Sequence, residues 1–199
     1  FWIFGFVMQI EHSRKFRLST GLLQIPILLL FGWGVCPSDT EASLNLEGTV
    51  FEQAGRKANI DPLLLYAVAL CESGYHSDPS KGLVAPYPWV LRTPDGPVYG
   101  ESRAEAERAL HRALKKSKSV DVGLMQINLR WNGHRVKVPA ELLDPTTNLR
   151  VAAEILNELF ARYPHDAVKA IGLYHSSNPK RAAGYGRTVW RVYNSLKAY

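Results

Sequence analysis

Apolar residues recur at helical spacing along most of the chain after residue 50. The segment "PLLLYAVALCES", 62–73, is apolar almost throughout, which is typical of a helix buried on most sides. Asp61 before Pro62 forms an N-cap with proline in the first turn, and Gly74 follows as a stop. The pattern predicts a buried helix of about three turns.

Several further segments predict helices by the same period and by their caps. Ser102 and Glu105 form a capping box, Asp144 and Asn178 each stand before a proline, and Pro164 marks a helix end. The predicted helices lie in "EGTVFEQAGRKANI", in the segment after Ser102, and in "PTTNLRVAAEILNELFARY", "HDAVKAIGLYHSS" and "KRAAGYGRTVWRVYNSL". One stretch differs, because "PYPWVLRTPDGPVYGES" places β-prone residues on both sides of a Pro-Asp-Gly turn. We therefore predict a mainly α domain with a small β-hairpin.

The first forty residues have a different character. "HSRKFRLST" is basic, and the uncharged run "GLLQIPILLLFGWGV" that follows has the length of a signal-peptide core, too short for a typical membrane span. We expect an export signal over residues 1–42, with a start at Met8 as an alternative to the printed one. A single uncleaved anchoring helix is the other interpretation.

Two cleavage sites are compatible with this segment. A small-residue site after Ala42 gives a mature domain over 43–199, whereas Cys36 stands where a lipoprotein cysteine would be modified. The expected location is the periplasm, with membrane attachment only through an uncleaved signal or a lipidated Cys36. If Cys36 is removed with the signal, Cys71 has no disulfide partner, and the core alone must stabilise the fold.

The composition favours an anionic partner without identifying it. The formal net charge is +6 and the isoelectric point is near 9.4. No block of Lys and Arg alternates with aromatic residues, so we predict that nucleic acid is not the partner. No His and Cys cluster has metal-ligand spacing, and no metal or organic cofactor is expected.

Glu72 is the first candidate for chemistry. It follows Leu65, Val68 and Ala69 at helical spacing, so its side chain shares their apolar face. It also lies in the last turn, where the helix dipole disfavours an anion. Both effects favour the protonated acid, which is the form required in general-acid catalysis, although a solvent-exposed Glu at a helix end is the alternative.

The second candidate is "VDVGLMQINLRW", 120–131. Gly123 permits close backbone approach, while Gln126 and Asn128 offer uncharged donors and acceptors suited to sugar hydroxyls and N-acetyl groups. A turn inside the core is the alternative interpretation.

Taken together, "ESGYH" and "GLMQIN" resemble the paired motifs of the soluble lytic transglycosylases, the peptidoglycan-cleaving family related in fold to goose-type lysozyme. "DPTTNLRVAAEIL" and "AIGLYHSS" continue the resemblance in the same order, so that it covers residues 50–193. It implies a lysozyme-like, goose-type α domain.

The resemblance also implies roles for individual residues. Glu72 would be the catalytic acid and base, and Tyr174 would point its hydroxyl toward that carboxylate or the N-acetyl group. The implied substrate-binding residues are Ser73, Gly123, Leu124, Met125, Gln126, Asn128, Tyr174 and Tyr185. Asn148 matches a family asparagine with a role as much structural as ligand-binding.

Two features depart from the usual family pattern. His175 and Ser176 replace the usual Asn and Ala after the tyrosine. A long insertion, about 84–120, resembles a hairpin-plus-helix variant of relatives associated with conjugation and secretion systems. Its aromatic residues Tyr87, Trp89 and Tyr99 are candidates for a sugar-stacking wall, with packing inside the hairpin as the alternative.

The implied activity is cleavage of the β-1,4 bond between N-acetylmuramic acid and N-acetylglucosamine, giving 1,6-anhydromuramyl ends. The implied partners are peptidoglycan strands and components of a conjugation or secretion system, for which the enzyme would open the wall locally. The alternatives are a lysozyme-type hydrolase and a non-catalytic peptidoglycan-binding subunit of an envelope machine. Asp121 and Asp144 provide no clear second carboxylate of the kind that most glycosidases use. The implied mechanism needs only Glu72, because the attacking 6-hydroxyl belongs to the substrate itself.

Overall fold

The computed structural model of the protein describes residues 44–78 and 83–198. The predicted export signal, with Met8 and Cys36, lies outside the described residues. Among the helices that are described, none combines the length and apolar character needed to cross a membrane.

A buried central helix organises the domain. Helix α1, Val50–Ala58, is followed by α2, Pro62–Ser73, and the Asp61 carboxylate caps α2 by accepting a hydrogen bond of 2.9 Å from the Leu63 amide. Leu65, Ala67, Val68 and Ala69 of α2 are all completely buried. The uninterrupted apolar run therefore corresponds to a helix that is covered on most sides.

The remaining helices follow the capping residues seen in the sequence. Asp144 accepts from the Thr147 amide, and Asn178 accepts from the amides of Lys180 and Arg181. These helices are α3 Arg103–Leu114, α4 Leu129–Asn132, α5 Pro145–Arg162, α6 Ala167–His175 and α7 Pro179–Lys197. Short 3₁₀ turns at Gly133–Arg135 and Pro139–Leu143 connect α4 to α5.

Helices α6 and α7 approach each other closely. A Cβ on Gly172 would collide with the Ala182 carbonyl, and one on Gly186 would collide with the Val168 carbonyl. The two glycines thus allow the backbones to meet, and this contact fixes the direction in which the end of α6 points.

Two small antiparallel sheets complete the fold. Strand β1, Gly74–Asp78, pairs with β2, Leu83–Pro86. The second sheet has the order β4-β3-β5-β6, with β3 Val90–Thr93, β4 Gly96–Tyr99, β5 Asp121–Val122 and β6 Ile127–Asn128. The predicted hairpin is β3–β4, and Gly96 takes the positive φ of 117° that its turn requires.

The inner strand of this sheet joins the hairpin to the rest of the domain. Leu91 of β3 pairs with Val98 on one side and with Val122 on the other, and its side chain is completely buried. The prediction of a mainly α domain with a small β-hairpin is confirmed.

Candidate active site

Glu72 lies in the last turn of α2, at one side of an open cleft of about 710 Å³. Its side chain is only 7% exposed, so it is a half-enclosed acid and not a surface residue. Side chains from β3, the β5–β6 turn, α4, α5 and α6 form the other walls. The cleft therefore has one buried carboxylate, and most of the residues that line it are of polar types.

The β5–β6 turn places its polar groups beside this carboxylate. Gly123 has φ of 78° and Gln126 has φ of 47°, and the Gln126 amide donates to the Gly123 carbonyl at 3.0 Å. A Cβ on Gly123 would lie 2.6 Å from Asn148 Nδ2 and from the Leu142 carbonyl. Glycine is required here because both the positive φ and the close contact exclude a side chain.

Asn148 of α5 holds the turn from beneath. Its side chain is completely buried, and its Oδ1 accepts from the Met125 amide at 2.8 Å. Its Nδ2 donates to the carbonyls of Val122 and Leu142, both at 2.8 Å. All its hydrogen bonds are to backbone groups, which favours the structural role for Asn148.

The Gln126 side chain lines the cleft with its amide group turned in one direction. Its Nε2 donates to the carbonyls of Gly123 and Val90 at 2.9 and 3.2 Å. Its Oε1 is buried and accepts no hydrogen bond from any residue that the structure describes. The two backbone carbonyls thus define the orientation of the Gln126 side-chain amide. They leave its Oε1 atom beside the cleft as a hydrogen-bond acceptor.

Tyr174, on α6, also lines the cleft. Its hydroxyl donates to the Met125 carbonyl at 2.7 Å. Burial, together with the charges of Glu72 and Asp121, raises the pKa of this phenol well above its usual range. The hydroxyl therefore stays protonated near the carboxylate.

Asp121 is a second carboxylate of the same cleft. Asn128 Nδ2 donates to its Oδ1 at 2.7 Å. Burial and the Glu72 charge raise the pKa of Asp121, opposed by the Asn128 hydrogen bond and by Arg92 and His175. The proximity of Asp121 to Glu72 could not be predicted from the sequence pattern, because the strand that carries Asp121 has only two residues.

His175, the last residue of α6, contacts Glu72 directly. Its Nδ1 lies 3.4 Å from Glu72 Oε1, and its ring stacks on Tyr185 with a centroid distance of 4.4 Å and an interplanar angle of 4°. Tyr185 is 4% exposed, and burial and the Glu72 charge raise its pKa well above the usual range. Tyr185 thus lies behind His175 and supports its ring.

The outer part of the cleft contains residues that sequence reasoning did not select. Trp131 of α4 is 69% exposed, with the Arg130 guanidinium 5.3 Å from its ring centroid. Arg135 forms a two-pronged pair with Glu158, both contacts being 2.8 Å. The only sequence signal for these residues is a tryptophan three positions after the "GLMQIN" motif.

The other predicted site residues lie behind the cleft or apart from it. Leu124 and Met125 are buried in the core, while the Ser73 hydroxyl donates to the Leu124 carbonyl at 2.7 Å. Tyr87, Trp89 and Tyr99 pack into one aromatic cluster with Tyr75, in which Tyr87 and Tyr99 have ring centroids 6.1 Å apart. Among the described residues, none of these three aromatic side chains lines the cleft that contains Glu72. Their role as a sugar-stacking wall stays a prediction.

The cleft can perform proton transfer to a bound polar substrate. A buried carboxylate, an imidazole, a phenol and neutral amides all line this cleft. Across residues 44–78 and 83–198, no group of three or more His, Cys, Asp and Glu is arranged to hold a metal ion.

Cys71, next to Glu72, permits a test of how closed this region is. Burial, with a smaller contribution from the Glu72 charge, raises the pKa of the Cys71 thiol to about 12. A raised pKa means less thiolate, so at neutral pH we expect iodoacetamide to react about a thousandfold more slowly than with an ordinary thiol. The measurement is a pH series of alkylation rates on a Cys36→Ser variant, with the urea-unfolded chain as reference. Equal rates in the folded and unfolded chains would contradict the expectation.

The comparisons with known proteins give a match to a family model and a match to a curated protein. The model described as "Transglycosylase SLT domain" matches residues 100–185. Protein virB1 of Agrobacterium fabrum is 31% identical over 145 residues, which is 72% of this chain and 53% of the relative. The chain thus spans about half the length of this curated relative. No solved structure gives a significant match.

Proposed function

Because residues 100–185 belong to the transglycosylase SLT domain family, we propose that the protein is a lytic transglycosylase that cleaves peptidoglycan strands with Glu72 as its catalytic acid and base. The observation that carries this proposal is the 7% exposure of Glu72 beside an open cleft. Glu72 precedes the matched segment in the sequence, and the cleft is lined by Glu72 together with residues of that segment. Gln126 and Tyr174, both inside the matched segment, supply hydrogen-bonding groups beside the carboxylate.

The proposed reaction needs only one acid. Glu72 gives its proton to the glycosidic oxygen between N-acetylmuramic acid and N-acetylglucosamine, and the N-acetyl oxygen of the muramic acid assists bond cleavage. The Glu72 carboxylate then takes the proton of the 6-hydroxyl, and that oxygen attacks C1. The product is a 1,6-anhydromuramyl end, no water is consumed, and Glu72 is protonated again.

The outer cleft provides features that suit a long, anionic glycan. The exposed face of Trp131 can stack against a sugar ring, as amphipathic aromatic side chains do. Arg92 and Arg162, which also line the cleft, offer positive charge to the lactyl and peptide carboxylates of peptidoglycan. These groups favour a binding mode in which the glycan strand extends past Glu72 toward α4 and α5.

Lysozyme-type hydrolysis is the second candidate function, and Asp121 is the observation that favours it. Most glycosidases use two carboxylates, and Asp121 shares the cleft with Glu72. An Asp121 carboxylate could activate a water molecule, in which case the product carries a reducing end. The two reactions therefore differ in their products and in their dependence on Asp121.

Product masses test both functions in one experiment. The purified protein is incubated with sacculi, and the soluble muropeptides are analysed by mass spectrometry. We expect products lighter by one water than hydrolysed muropeptides, and an Asp121→Asn variant that still forms them. Reducing-end products that disappear in Asp121→Asn would establish the hydrolase, and binding to sacculi without release would indicate a non-catalytic subunit.

We also propose that the enzyme acts in the periplasm, opening the wall locally for a conjugation or secretion apparatus. The likeness of the hairpin-plus-helix insertion to secretion-associated relatives supports this role, together with the similarity to Protein virB1. In the native host, replacement of the gene by its Glu72→Gln form should lower transfer or secretion as much as deletion does. If only deletion lowers it, the protein contributes to that apparatus through binding and not through cleavage.

A further inference from the structure

His175, at the end of α6, lies in direct contact with Glu72 of α2. Its Nδ1 lies 3.4 Å from Glu72 Oε1. The side chain of His175 is 30% exposed and that of Glu72 is 7% exposed, so the pair is open to solvent on one side only. An ionisable imidazole thus lies next to the proposed acid.

The surroundings hold the imidazole in this place. Its ring lies parallel to the buried Tyr185 ring at 4.4 Å, so it rests against α7 while its edge faces Glu72 on α2. As the last residue of α6 it also occupies a helix terminus, where the dipole favours a positive charge. The ionisable groups around it are Glu72 on α2, Arg92 on β3, Asp121 on β5, Tyr174 on α6 and Tyr185 on α7.

We propose that His175 is a positioning residue of this enzyme, which holds the Glu72 carboxylate through its Nδ1. This inference rests on the proposed function, because it concerns the acid of that reaction. The imidazolium stabilises the carboxylate that Glu72 becomes after it has protonated the glycosidic oxygen.

The first test does not require activity. The protonation of His175 is followed by NMR of its ring Cε1–H signal in the full chain, and a His175→Asn variant identifies that signal among the six histidines. Loss of the facing anion in Glu72→Gln should lower the titration midpoint of His175 by about half a pH unit or more. Glu107→Gln is the matched control, because Glu107 forms an exposed pair with His111 at 4.0 Å and should leave His175 unchanged.

The second test uses the rate of murein cleavage. Removing the imidazolium removes a charge that stabilises the carboxylate, so His175→Asn should move the alkaline limb of kcat to higher pH. His111→Asn should leave the profile unchanged. A purely structural role for His175 would lower kcat at all pH values without moving the limb, and that result would overturn the inference.

The two tests separate the inference from the proposed function. A wild-type protein that releases no muropeptides refutes the proposed function. The NMR titration then still tests whether Glu72 and His175 interact. An unchanged His175 midpoint in Glu72→Gln overturns the inference whether or not the protein cleaves murein. A lowered midpoint together with a moved limb supports both.

Discussion

A Glu72→Gln variant should release soluble muropeptides from sacculi at least about a thousandfold more slowly than the native protein. Glutamine has nearly the same shape as the acid, so it can occupy the same half-enclosed position at the end of α2. It cannot deliver a proton to the glycosidic oxygen or take one from the 6-hydroxyl. Both proposed proton-transfer steps would therefore be lost in this variant.

The comparison variant for this loss is Glu107→Gln, on the solvent side of α3. It removes the same charge from the protein without touching the cleft, so its rate should equal that of the native chain. Binding of Glu72→Gln to sacculi should also be retained, because the Gln126, Tyr174 and Trp131 walls are unchanged. A Glu72→Gln rate within about tenfold of the native rate would refute the role of Glu72 as acid and base.

An Asn148→Ala variant should lose about 3 kcal/mol in the free energy of unfolding. The substitution leaves the Met125 amide and the carbonyls of Val122 and Leu142 without their buried partner. Each unsatisfied group costs on the order of 1 kcal/mol or more, because water does not reach it. We expect a fall in Tm of roughly 10 °C, measured by circular dichroism.

Asn157→Ala provides the matched control, since both asparagines lie on α5. The Asn157 side chain donates one hydrogen bond, of 2.9 Å, to the Ala58 carbonyl near the surface. Its loss should cost no more than about 1 kcal/mol. If the two variants melted at the same temperature, the β5–β6 turn would not depend on Asn148.

The helical part of this fold was predictable because local signals agree with the tertiary packing. Asp61 and Pro62 start α2 and Gly74 follows it, and the apolar run between them corresponds to a buried helix. This agreement allowed Glu72 to be placed on an apolar face from its spacing alone.

The other parts of the site could not be predicted in this way. Strands β5 and β6 have two residues each, too few for any period, so the approach of Asp121 to Glu72 is set by long-range pairing. The β1–β2 pair was missed because "GYHSD" has little β propensity. The contact between His175 and Glu72 depends on the close packing of α6 on α7, which joins helices far from α2 in sequence.

Strand β3 connects the predicted insertion, about 84–120, to the cleft. Val90 lies within the insertion, yet its carbonyl accepts from the Gly123 amide at 2.9 Å and from Gln126 Nε2 at 3.2 Å. An exchange of residues 84–120 for a short loop would remove one of the two carbonyls that orient the Gln126 side chain, so the insertion is not an interchangeable module. A variant of this chain with a short loop in place of residues 84–120 would therefore need a compensating acceptor for the Gly123 amide and the Gln126 side chain.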